Sequence, residues 1–190
     1  MNKIILASGS PRRKQLLEWA EISFEVIVAN TDEGYPGNLS MEEIAMHIAR
    51  NKALTVQKKS LPNYDAYTII AADTIAVLEN KIIGKPIDRE DAIKILSILS
   101  GKTHEVITGV CLLSSSNENL FAEKTKVIFN ELTLAQIEYY VDKYRPYDKA
   151  GAYAIQEWIG IVGVKSIEGD FYNVMGLPVS RVVEELKTMN

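Results

Sequence analysis

An α/β fold, with a mixed central β-sheet flanked by helices, is predicted by two features of the chain. Short apolar runs alternate with helix-period segments, which is the pattern of strands and helices in turn. Two long strand-like segments, Glu105–Leu113 and Leu120–Phe129, stand back to back around a polar turn, and such a hairpin makes a sheet mixed rather than purely parallel.

The elements follow in order. Lys3–Ala7 reads as a buried strand, and Ser8-Gly9-Ser10-Pro11 as a turn into a helix. Ser10 suits the N-cap and Pro11 the first helical position. Phe24–Ala29 reads as a second strand, parallel to the first if the two are neighbours. Asn30–Asn38 is a polar loop. Ser40 and Glu43 form a capping-box pattern ahead of a helix over 41–58, with Ile44, Ala45 and Ile48 inward. Tyr67–Ala72 is an apolar run of the kind buried on both faces, and Thr74–Leu78 continues as strand. Glu79-Asn80 suits a hairpin returning through Lys81–Ile83. Asp88 caps a helix with Ala92, Ile95, Leu96 and Leu99 inward, which Gly101 ends. Thr133 caps a helix to Tyr144. From Tyr147 to Gly163 the chain reads as irregular, and Val179–Lys187 makes a last helix.

Bulk properties bound the function. The 190 residues, 47% hydrophobic and 24% charged, suit one globular domain spanning 1–190. A net charge of −4 argues against a protein that holds nucleic acid by its phosphates. One cysteine, Cys111, excludes a disulfide within the chain, and His47 and His104 form no ligand motif. A metal would therefore be held by carboxylates, which favours Mg²⁺ or Mn²⁺. The first apolar run is too short for a signal-peptide core, and no stretch approaches the ~18 residues of a membrane span. A cytoplasmic location is the simplest expectation.

Four groups of residues could carry chemistry. Ser8-Gly9-Ser10-Pro11-Arg12-Arg13 joins a strand to a helix. Such a corner offers backbone N–H groups and the helix dipole to an anion, with Ser8 and Ser10 hydroxyls and two guanidiniums beside them. A well-capped helix with solvated arginines would look the same. Asp73 follows four apolar residues at a strand end, where α/β sheets bind ligands. With Glu33 it could hold a divalent ion and place a water; alternatively it kinks the strand through its own backbone. Lys52 and Lys85 could neutralise a polyphosphate, or be solvated surface lysines. Gln156 could match the edge of a uracil or thymine base with two hydrogen bonds, or be satisfied by backbone. Tyr153, Trp158 and Phe171 could stack on a base or fill the core. Ser100-Gly101-Lys102-Thr103 imitates the end of a P-loop, but Leu96 stands where the first glycine belongs, and helix and strand come in reverse order. Cys111 sits in a strand pattern as a small buried hydrophobe.

Taken together, these segments resemble the Maf family of nucleotide pyrophosphatases. The matching stretches are Leu6–Arg13, Ala72-Asp73-Thr74, Ile83–Pro86, Leu99–His104, Asp148–Tyr153 with Gln156, and Asn173–Pro178. The resemblance implies a fold like that of inosine triphosphate pyrophosphatases, with two lobes around a cleft. It implies cleavage between the α and β phosphates of a nucleoside triphosphate with a divalent cation, Asp73 as proton acceptor, and Arg12, Thr74 and Gln156 as residues of substrate choice. Those three match the branch acting on dTTP and UTP. They argue against a pyrophosphatase for ITP or XTP, and a nucleotide sensor without turnover is a third reading. Modified pyrimidine nucleotides would fit a house-cleaning role, and a homodimer is a further implication. One departure stands out: many relatives have Gly directly after the glutamine, where this chain has Glu157.

Overall fold

In the computed structural model, which describes residues 3–60 and 66–189, the first apolar run is strand β1, Lys3–Leu6. Helix α1, Pro11–Trp19, follows, with Pro11 in the first turn and Ser10 as N-cap. Strand β2 is Phe24–Val26, paired parallel to β1. It is shorter than the expected Phe24–Ala29. The reason is that β1 stops at Leu6, so Ile27 N–H to Leu6 C=O is its last rung, and Val28 onward has no β1 residue left to pair with. Helix α2 is Met41–Ser60, and the Ser40–Glu43 capping box is made in both directions.

Strand β3, Tyr67–Leu78, is one uninterrupted strand of 12 residues. It pairs parallel to β1 up to Leu6–Ile70. The Glu79-Asn80 hairpin, both residues at positive φ, then leads to strand β4, Lys81–Ile83, antiparallel to β3. Asp73 is therefore in mid-strand, not at a strand end as expected: β3 does not stop there, because β4 supplies it with new partners from Ala76 on. The strand end it lies beyond is that of its neighbour β1.

Asp88 caps helix α3, Arg89–Leu99, and Gly101 at φ +70° follows its end. Strands β5, Thr103–Ser114, and β6, Glu118–Phe129, form the long hairpin, and Thr133 caps helix α4, Leu134–Tyr144, through a capping box with Gln136. The segment expected to be irregular holds a 3₁₀ turn, Ala150–Ala152, and helix α5, Trp158–Gly163. Strand β7, Val164–Glu168, and helix α6, Phe171–Met175, were not anticipated either. The strand has little apolar alternation to betray it and is held by pairing with β6 from Lys126 to Phe129. Helix α7, Val179–Thr188, is the last element.

The seven strands make one mixed sheet in the order β2-β1-β3-β5-β6-β7, with β4 on β3. The described residues divide into two compact units. The first runs to Thr74 and includes Thr108–Glu123 and Gly176 onward; the second is Ile75–Ile107 with Lys124–Met175. No helix among the described residues is long and apolar enough to cross a membrane.

In the first unit, Ile5, Ile69, Ala71, Cys111 and Leu113 pack under Ala49, Ala53 and Val56 of α2. Side chains on a strand alternate between faces, so Ile69, Ala71 and Asp73 share the face that α2 covers. Gly109 of β5 lets α2 come down onto the sheet: a Cβ there would lie 2.2 Å from the Ala45 carbonyl carbon. Only glycine permits that approach. Cys111 is fully buried and burial pushes its thiol up to about 12, so it is a core residue and not a nucleophile.

In the second unit, His104 is buried with its ring edge-on to Phe129 and Tyr153, and its Nε2 pairs with the Tyr153 hydroxyl at 2.8 Å. Burial lowers the imidazole from its ordinary 6.5 to about 4. The folded state therefore binds fewer protons than the unfolded chain between these values, and stability falls as the pH falls through that window. The expected loss from this group is about 3 kcal/mol between pH 6.5 and pH 4. Urea unfolding at a series of pH values checks it: His104→Gln should flatten the slope in this window, and an unchanged slope would contradict a buried neutral histidine.

Candidate active site

The corner between β1 and α1 is built around Ser8, 8% exposed. Its Oγ accepts from Ser10 N–H at 3.2 Å and from Arg13 Nη1 at 3.1 Å. Ser10 Oγ in turn accepts from Arg13 N–H at 3.5 Å, and Pro11 has no N–H to offer. Two of the corner's backbone donors, those of Ser10 and Arg13, are thus engaged within it. The helix dipole and the Arg12 and Arg13 guanidiniums add to its capacity for negative charge.

Arg13 is held as a fork. Nε donates to Gly176 C=O at 2.7 Å, Nη1 to Ser8 Oγ, and Nη2 to Thr74 Oγ1 at 3.0 Å. A guanidinium has five N–H donors, so one remains on each terminal nitrogen. Thr74 Oγ1 also pairs with Thr108 Oγ1 at 2.9 Å. Gly176 sits at φ +118°, a conformation that suits glycine and turns its carbonyl to the arginine. Burial lowers the Arg13 pKa; Asp73 opposes this, Arg12 adds to it, and Glu33 opposes it. The guanidinium thus feels both carboxylates.

Those carboxylates meet on Lys52 of α2. Its Nζ lies 2.6 Å from Asp73 Oδ1 and 2.8 Å from Glu33 Oε1. The Lys52 and Asp73 side chains are 17% and 15% exposed, while Glu33, in the loop after β2, is 53% exposed. Lys52 and Glu33 line a cavity of about 300 Å³ with Ala7-Ser8-Gly9 and Val28–Thr31. The segments that leave β1 and β2 wall this hollow. Beyond Leu6 the chain turns away and leaves the edge of β3 between Ala71 and Thr74 without a β1 partner. Alternation puts Asp73 and Thr74 on opposite faces of β3; Asp73 pairs with Lys52 and Thr74 accepts from Arg13, whose other partner, Ser8, lines the cavity with Lys52.

The second unit carries the remaining candidates. Lys85 is exposed between β4 and α3, and the preceding Gly84 C=O accepts from Gly151 N–H at 3.2 Å. Gln156 is exposed in the turn before α5. It borders a largely apolar hollow of about 480 Å³ with Ile155, Ile161, Val164, Ile167 and Phe171. Glu157 is tied down: its carboxylate accepts from Tyr140 Oη and lies 3.7 Å from Lys149 Nζ, which also pairs with Asp148 at 2.7 Å. Tyr153 is buried, and Trp158 packs edge-on to Tyr139.

Two supporting residues and one pairing leave little or no signal in the sequence. Thr108 has no local signal at all, since only the placement of β5 beside β3 brings it to Thr74. Gly176 was visible only as part of a matching stretch. The role of Lys52 as a partner of Asp73, 21 residues away, depends on how α2 lies on the sheet.

The sequence pattern of the Maf family, described as Maf-like protein, matches residues 3–189. The chain belongs to the Maf family. Maf relatives include the dTTP/UTP pyrophosphatase of Cytophaga hutchinsonii, 50% identical over 98% of this chain and 84% of that protein. The dTTP/UTP pyrophosphatase of Bacteroides fragilis is 49% identical over 98% of this chain and 96% of its own length, and that of Porphyromonas gingivalis 45% over 97% and 93%. The Staphylococcus aureus Ham1 protein shares the fold at a TM-score of 0.54 and 16% identity, with each chain covered in full. The Maf sheet described above is therefore of the same mixed α/β class.

The Arg13 fork yields a direct test. Thr74→Val removes one acceptor and should lower unfolding free energy by about 1–3 kcal/mol in urea. Thr74→Ser, which keeps the hydroxyl, should recover most of it. A valine variant as stable as the wild type would show that the fork is not held this way.

Proposed function

We propose that this Maf chain hydrolyses nucleoside triphosphates to monophosphate and pyrophosphate, with dTTP and UTP preferred. The observation that carries the reading is a cavity within one unit lined by Ser8, which anchors the Arg13 fork, and by Glu33 and Lys52, the lysine being paired with Asp73 as well. The names of the relatives support the choice of substrate.

The donor set fits a hard divalent ion. Glu33 and Asp73 present carboxylate oxygens to one cation, here the Lys52 ammonium. Among the described residues no group of three or more His, Cys, Asp or Glu side chains converges on a metal position. That suits Mg²⁺ or Mn²⁺, which are commonly held by one or two carboxylates and complete their shell with waters and substrate phosphates. Glu33 and Asp73 would hold the ion, which supplies charge neutralisation and polarisation of the phosphoryl oxygens when bound.

The protein's own groups do the rest. The two remaining N–H donors of Arg13, already aimed, bind phosphate oxygens without further ordering cost, and Arg12 adds charge beside them. Ser8 and Ser10 keep that corner in shape. Asp73 accepts the proton of the water that attacks the α-phosphorus, directly or through a water it orients, and the cations stabilise the pyrophosphate that leaves. Lys85 enters as a point charge for the phosphates, and Arg12, Thr74 and Gln156 enter as residues of substrate choice on the family resemblance.

Pyrophosphate release from a panel of UTP, dTTP and ITP with Mg²⁺ tests the reading. Turnover of UTP and dTTP ahead of ITP is expected. Asp73→Asn should cut it at least about a hundredfold while still unfolding cooperatively. No release from any triphosphate would leave a nucleotide sensor, and faster ITP cleavage would move the chain to the inosine type.

A further inference from the structure

The Lys52 ammonium occupies the position between Glu33 and Asp73 where the preceding reading puts a divalent ion. We propose that Lys52 is a placeholder: it holds the two carboxylates together in the nucleotide-free protein and is displaced onto the substrate's phosphates when the metal arrives with the triphosphate. The inference rests on that reading of Glu33 and Asp73.

The charges favour an exchange of this kind. Lys52 Nζ is 2.6 Å from Asp73 Oδ1 and 2.8 Å from Glu33 Oε1, while Mg²⁺ takes oxygens at about 2.0–2.1 Å. An ion bound by the same two oxygens would stand against the ammonium, and like charges at such separations repel strongly where water is partly excluded. Lys52 is mostly buried, so solvent does little to soften that repulsion. Its flexible four-carbon stem can swing, and it already lines the 300 Å³ cavity bordered by the Ser8-Gly9 turn. A triphosphate there supplies the negative charge that receives it. The nucleotide-free state balances two carboxylates with one ammonium and the loaded state with one dication, the lysine having moved to phosphate. Metal alone should therefore bind poorly, and metal and nucleotide should bind cooperatively.

Nucleotide-free Mn²⁺ binding, followed by the EPR signal of the free ion, tests this without any turnover. Lys52→Met should bind Mn²⁺ at least about tenfold more tightly than the wild type, and adding Glu33→Gln should abolish the gain. A non-hydrolysable α,β-imido UTP should raise the Mn²⁺ affinity of the wild type far more than that of Lys52→Met. Thermal melts establish that each variant is folded, and Lys52→Gln replaces the methionine variant if that one is not. Equal or weaker Mn²⁺ binding by the folded variant overturns the proposal, as does a gain that survives Glu33→Gln, because the ion then sits elsewhere. The function reading is judged separately, by pyrophosphate release from the wild type: a chain that releases none but shows the Glu33-dependent gain keeps the placeholder and loses the activity.

Discussion

A carboxylate set in the middle of an apolar strand has to be met by positive charge, and the pairing of Asp73 with Lys52 is the constraint around which the first unit is organised. A charge 15% exposed and unpaired would cost several kcal/mol or change its protonation. The lysine that answers it comes from α2, and α2 can reach that depth because Gly109 has no side chain to hold it off β5. Ala45, Ala49 and Ala53 extend the same logic along the helix, small residues that bring its backbone near the sheet. The alternation of β3 then delivers Asp73 to the face that α2 covers, in line with Ile69 and Ala71.

The Arg13 fork is the counterpart on the other face. Thr74, one residue on from Asp73, points the opposite way and receives a guanidinium instead of an ammonium. Anchored by an alcohol on β1's exit, an alcohol on β3 and a backbone carbonyl at Gly176, the guanidinium has little freedom to lose on binding phosphate. Both arrangements depend on where β1 ends. Because it stops at Leu6, the Ala7-Ser8-Gly9 segment that follows lines the cavity with Glu33 and Lys52, and its Ser8 also anchors Arg13.

Legibility from sequence followed the range of the interaction. The Ser10-Pro11 helix start, the Ser40–Glu43 box, the Asp88 and Thr133 caps and the Glu79-Asn80 hairpin are local, and each could be read directly. Asp73 could be singled out as a charge after an apolar run, but not its place in mid-strand, because β4 returns to pair with the residues beyond it. The Lys52–Asp73 pair, the Thr74–Thr108 contact and the clearance at Gly109 depend on register and packing across the sheet and leave no local trace. Strand β7 was missed for a related reason: Val164–Glu168 is held by β6 and not by its own pattern. The place of Glu157 likewise depends on Tyr140 and Lys149 beside it.

In the proposed reaction this cluster of charges directs a water to the α-phosphorus. Hydrolysis of UTP in ¹⁸O-labelled water, with the products separated and weighed by mass spectrometry, tests it most directly. One labelled oxygen should appear in the UMP and none in the pyrophosphate. Label in the pyrophosphate would mean attack at the β-phosphorus, and label in orthophosphate with UDP as co-product would mean a different bond is cut; either result contradicts the account.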